Sequence, residues 1–112
     1  MRKQVLKAVG LLTLSLAPLG SQAYYNANIS GVVTQVLTYP ESGHILFVLN
    51  NQPSHPTCNS SYFAFGDVGT EAVVNRVYAR LLLAHATGEP VNIGFDNAGD
   101  CASGYIRAHR VG

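Results

Sequence analysis

One stretch of this chain repeats with a helical period, and the stretches on both sides of it repeat as strands. Val73, Val74, Val77, Tyr78, Leu81 and Ala84 recur at i, i+3, i+4 spacing, which gathers them on one helical face. Asp67 or Thr70 can cap the start, and the helix is predicted to run to about Thr87. Gly88 suits the left-handed residue that closes a helix, and Pro90 prevents its continuation. Ahead of it, Ile29–Tyr39, His44–Leu49 and Ser61–Phe65 are rich in β-branched and aromatic residues and read as three strands, the first two joined by the turn Pro40–Gly43. After it, Val91–Phe95 and Gly104–Val111 read as two more, with Asp96–Ser103 as the loop between them. In the last strand Tyr105, Arg107 and His109 alternate against Ile106, Ala108 and Arg110.

The order is therefore β-β-β-α-β-β, mainly β with one helix. A small five-stranded antiparallel barrel of the OB type has this order, its helix plugging one end between the third and fourth strands. Another small α+β sheet packed on one helix has the same order, and order alone does not separate the two.

The ends of the chain bear on the compartment. Arg2, Lys3 and Lys7 mark a positive region at the start of an apolar stretch, Val5–Leu19, which Pro18 and Gly20 bring to an end. Ser21-Gln22-Ala23 then offers small residues at a cleavage site. This predicts a secretory signal peptide over residues 1–23 and one domain over residues 24–112, secreted or periplasmic. The apolar run is short for a membrane span; a retained N-terminal anchor is the alternative. In an exported chain Cys58 and Cys101, the two cysteines, are expected to form one disulfide.

Removing the leader reverses the charge. The full chain carries +1, but the remainder sets Arg76, Arg80, Arg107 and Arg110 against Glu41, Asp67, Glu71, Glu89, Asp96 and Asp100, about −2. No lysine is left, so no basic stripe exists to neutralise phosphates, which argues against a nucleic-acid partner.

Catalytic and metal motifs are not apparent. His44, His55, His85 and His109 lie on separate elements without metal-ligand spacing, and no cofactor is implied. Asp96–Asp100 lacks the ligand alternation of a calcium loop and reads as a turn. No G-x-S-x-G nucleophile motif is present, and a domain of this size has little room for a deep cleft beside its core, so the chain does not read as an enzyme. On the second face of the helix, Ala72, Ala79 and Leu83 lie among Asn75, Arg76 and Arg80. Small residues beside one leucine there suggest an interface between copies of the chain.

Two short segments resemble a known family. Ile29-Ser30-Gly31-Val32-Val33 is similar to the start of the first strand in the B subunit of subtilase cytotoxin, and Thr87-Gly88-Glu89-Pro90-Val91-Asn92-Ile93 is similar to that family's helix-to-strand junction. Both chains place a cysteine before the helix, here Cys58, and both follow a leader. The resemblance runs from the first strand to the fourth, with different loop lengths. It implies an OB-fold that forms a pentameric ring, binds sialylated glycans in a shallow pocket and serves a separate A subunit. It implies Ser30 as the hydroxyl that hydrogen-bonds the sugar, Asn26 where the family has a pocket aspartate, and Phe95 where the family has a tyrosine. The lost charge at Asn26 and lost hydroxyl at Phe95 imply a different sugar preference. A free-standing periplasmic structural or protein-interaction domain is the competing expectation.

Overall fold

The computed structural model describes residues 25–112; the expected signal peptide, residues 1–23, lies outside them. The elements are β1 (Ala27–Thr38), β2 (Ile45–Leu49), β3 (Phe63–Phe65), α1 (Glu71–Thr87), β4 (Pro90–Phe95), β5 (Cys101–Ala102) and β6 (Tyr105–Val111).

The length of β1 organises the molecule. Its first half pairs with β4, from Ala27 opposite Phe95 to Val32 opposite Pro90. Its second half pairs with β2, from Val33 opposite Leu49 to Thr38 opposite Ile45. The register slips between Val33 and Gln35, and such a bulge bends a strand. One strand can therefore serve both sides of a curved sheet. The order is β3-β2-β1-β4-β6-β5, and a further β3–β6 pairing closes the ring. This is the closed OB-type arrangement with its helix between β3 and β4.

Two expectations need correction. There are six strands rather than five, because Cys101–Ala102, expected within a loop, pairs with Tyr105 and Ile106 as a short hairpin. The barrel is also not wholly antiparallel: β3 and β6 close it side by side in parallel, Phe63 opposite Ile106 and Ala64 opposite Arg107.

The helix forms as expected. The Thr70 hydroxyl accepts from the Val73 N–H at 3.2 Å, satisfying one of the free donors of the first turn. Gly88 adopts φ 75°, a conformation that costs a side chain-bearing residue, and its N–H donates to the Ala84 carbonyl. Leu81 and Ala84 are fully buried and meet Phe47, Phe63, Ile93 and Ile106 in the core. Burying each large side chain contributes about 1.5–3 kcal/mol. Val73, expected on this face, is instead 45% exposed. Leu83 is 60% exposed, as its place on the second face predicts, and Ala72 and Ala79 are exposed with it. No helix among the described residues is long and apolar enough to cross a membrane.

Cys58 and Cys101 are bonded, with Cα atoms 5.7 Å apart. The bond ties the loop before β3 to β5 across a sequence separation of 43. Closing a loop of that length stabilises a fold by at most about 4 kcal/mol.

Candidate functional site

The outer face of β1 and β4 gathers a group of polar side chains. Opposite residues on antiparallel strands share a face. Ser30 faces Asn92, and Asn28 faces Gly94. Asn26, Asn28 and Ser30 are exposed, while Ala27, Ile29 and Gly31 between them are partly covered. The Asn92 Nδ2 donates to the Ser30 hydroxyl at 2.9 Å. Asn51 donates to the Ser30 carbonyl at 2.8 Å, so the strand is clasped from the loop after β2 as well.

Arg110 completes this group from β6. Its Nη2 donates to the Asn28 Oδ1 at 2.6 Å and also to the Asn92 Oδ1. Asn92 thus donates to Ser30 and accepts from Arg110, which fixes its amide orientation. Among the described residues Arg110 has no carboxylate partner. An exposed guanidinium held by two neutral amides has no carboxylate to compete with an incoming anion.

The strand pattern alone puts Arg110 on the same side as Ile106 and Ala108. A second bulge overrides it. Gly94 pairs with Arg110 but Phe95 pairs with Ala108, so His109 is an extra residue. The insertion shifts the alternation by one and carries Arg110 to the outer face.

Tyr25 supplies the aromatic surface. A Cβ at Gly94 would lie 2.7 Å from its ring, so only glycine admits this packing. The ring also stacks on His109, with centroids 5.9 Å apart. This corrects the expectation for Phe95. Phe95 is 7% exposed and packs edge-on against Phe63 in the core, so its ring face is not available to a ligand. Opposite Ala27 in the ladder, it points to the interior where Ser30 points outward. Asn26 is exposed immediately before β1. Its Oδ1 accepts from the Asn97 N–H at 3.1 Å, which ties the loop after β4 to the start of β1. Ser30 is thus the one sequence-derived residue at the centre of the group. Tyr25, Asn28, Asn92 and Arg110 escaped sequence reasoning; the glycine inside the fourth strand was the available sign of a close approach.

A cleft of about 450 Å³ adjoins this face between the start of α1 and β6. Val73, Val74, Val77 and Val111 give it an apolar floor, which accounts for the exposure of Val73. An ion network forms its other wall. Arg107 Nη1 meets the Asp67 carboxylate at 2.6 Å, and Arg107 Nε meets Asp100 at 3.0 Å. The second oxygen of Asp100 lies 2.5 Å from His109 Nε2. Burial raises the pKa of Asp100, but hydrogen bonds and charge from Arg107 and His109 outweigh it and hold the carboxyl below its usual range. Burial works against the Arg107 charge too, and is outweighed by Asp67 and Asp100, so its pKa is raised.

His55, Cys58 and Cys101 bring three metal-type ligand atoms within 4.8 Å of one another. Both sulfurs are used by the disulfide, and His55 has a structural task. Its Nε2 donates to the Asp96 carbonyl at 2.8 Å, and its Nδ1 accepts from the N–H of Cys58 at 3.1 Å. The neutral ring therefore pins the loop before β3 to the end of β4. Compared with protein-family models, curated proteins and solved structures, the chain has no match.

Proposed function

We propose that this protein is an exported carbohydrate-binding module that takes a carboxylate-bearing sugar on the outer face of β1 and β4 and acts as a homo-oligomer. The observation that carries this is Arg110, a guanidinium held between the amides of Asn28 and Asn92 with no carboxylate partner among the described residues. Arginine meets a carboxylate through paired hydrogen bonds. The Ser30 hydroxyl and the two amides suit sugar hydroxyls, and the Tyr25 ring suits the apolar C–H face of a pyranose. The resemblance of the Ser30 and Gly88–Pro90 segments to subtilase cytotoxin B subunits points the same way, toward sialylated glycans, a pentameric ring being that family's state and a separate A subunit its partner.

A glycan array read against the exported protein tests this. Binding should be strongest for acidic glycans and fall on enzymatic removal of their sialic acid. Arg110→Ala should weaken it about tenfold or more, the loss of a hydrogen bond to a charged group. Ser30→Ala should weaken it less. Circular dichroism checks that both variants fold. Wild-type binding by Arg110→Ala sinks this site. If no glycan binds, the competing reading of a protein-interaction domain takes over, with the exposed Leu82 and Leu83 as its contact surface.

A further inference from the structure

We infer that the pocket beside the β1–β2 turn is a second sugar subsite, one that selects a neutral ring. It extends the glycan-binding reading but shares no residue with the Arg110 face. The pocket, about 340 Å³, is lined by Tyr39, Glu41, Ser42, His44, Leu46 and Tyr105. That volume holds a monosaccharide and leaves part of it in solvent.

Its parts are positioned in advance. Leu46, Ala64 and Ala102 form a small buried cluster outside the main core, and Leu37, Tyr62 and Tyr105 pack against it. Tyr105 meets Tyr62 edge-on at 6.4 Å and leans on His44 at 6.5 Å, so its ring is held on two sides. The turn is braced as well. The Ser42 N–H donates to the Tyr39 carbonyl, the His44 N–H donates to the Ser42 hydroxyl, and that hydroxyl lies 2.9 Å from His44 Nδ1. The other ring nitrogen of His44, Nε2, is buried without a hydrogen-bond partner among the described residues. That nitrogen has no accessible surface, so the hydrogen-bonding groups open to a ligand on this wall are the Ser42 hydroxyl and the Glu41 carboxylate.

The chemistry fits a sugar better than an anion or a flat apolar ligand. Tyr39 is 47% exposed and offers a ring face for C–H packing. Glu41 is exposed and has no cation partner among the described residues, so its two oxygens are available to accept from neighbouring hydroxyls. The same carboxylate repels an acidic sugar. The two sites would therefore differ in charge preference: an acidic sugar at Arg110, a neutral one at Glu41. On OB barrels the loop joining the first two strands belongs to the usual ligand face, which places this pocket where a chain-like ligand passes.

The test is a titration of the isotope-labelled exported protein, followed by amide shifts. The probes are methyl β-galactoside, methyl β-glucoside, N-acetylglucosamine, N-acetylneuraminic acid and choline. At least one neutral sugar should give saturable shifts at Tyr39, Ser42, His44 and Tyr105. Tyr39→Ala should weaken it about tenfold, Tyr39→Phe should hold it within about twofold, and Arg110→Ala should leave it unchanged. Tyr39 is exposed, so neither substitution removes core. No saturable shift with any neutral probe overturns the inference, as does equal binding by Tyr39→Ala. Choline binding in place of sugar also overturns it, since an aromatic-carboxylate pocket would then be a cation site. The acidic-sugar reading fails separately, if N-acetylneuraminic acid leaves Ser30, Asn92 and Arg110 unmoved.

Discussion

Arg107 and Arg110 stand three residues apart on one strand and have opposite roles, decided by their partners. Arg107 is spent on Asp67 and Asp100, a structural network; Arg110 meets only amides. The network makes stability depend on pH. Asp100 has its carboxyl pKa lowered in the folded state, burial being outweighed by Arg107 and His109, and regains its ordinary value when unfolded. As pH falls below that ordinary value, the unfolded chain takes up a proton that the native site does not, so stability drops. The contribution is complete above the unfolded value and is lost as pH falls through the folded one. Asp100→Asn should therefore destabilise the protein at neutral pH by about 1 kcal/mol, a modest figure because the group is partly exposed and screened. The difference from wild type should narrow as the pH falls below the ordinary carboxylate value and vanish once the native Asp100 is itself protonated. Urea unfolding of both proteins across the acid range measures it, and a gap that does not change with pH contradicts the assignment.

Elements with a clean period were legible in the sequence, and the places where the period breaks were not. The helix from Thr70 to Gly88 was readable because apolar spacing and both caps agree. The disulfide was readable from the number of cysteines and the expected export. The six-residue group at the site was not, because two bulges control it. The slip near Thr34 lets β1 turn from β4 to β2, and the extra His109 carries Arg110 outward. Neither has a composition signal. Phe95 was misjudged for the related reason that strand parity depends on register: paired with Ala27, it must face inward. The helix also offers a test of its second face. Leu82 is 40% exposed beside Leu83, with Ala72 and Ala79 exposed along the same element. An apolar pair on an otherwise polar face suits packing against another copy. Leu83→Glu should convert the oligomer to monomer in light scattering while leaving the circular dichroism and the disulfide unchanged. A wild-type protein that is monomeric at high micromolar concentration refutes this interface.

For the whole molecule, charge and size together mean that the proposed glycan binding would have to be collective. Residues 24–112 carry about −2, so their long-range field would not draw an acidic glycan; in the proposed site only Arg110 would, locally. A shallow outer face, with one exposed guanidinium screened by salt, supports weak capture at each site. A dissociation constant near 1 mM corresponds to only about −4 kcal/mol. Several such sites on one rigid ring change the outcome, because after the first sugar is held the next binds at high effective concentration, raising avidity by about 10²–10⁴ without any new contact. The oligomer and the glycan readings are then linked in a way that one variant separates. Leu83 lies on the helix, outside the sugar face, so Leu83→Glu should keep the per-site affinity for a soluble monovalent sialoside within about twofold by calorimetry. On a surface dense in the same sugar it should bind about a hundredfold more weakly than wild type, with faster release. Arg110→Ala should lose both measurements together. Loss of soluble sialoside binding in a folded Leu83→Glu protein would mean that the site itself spans two copies, and equal surface binding by the monomer would remove the case for multivalency.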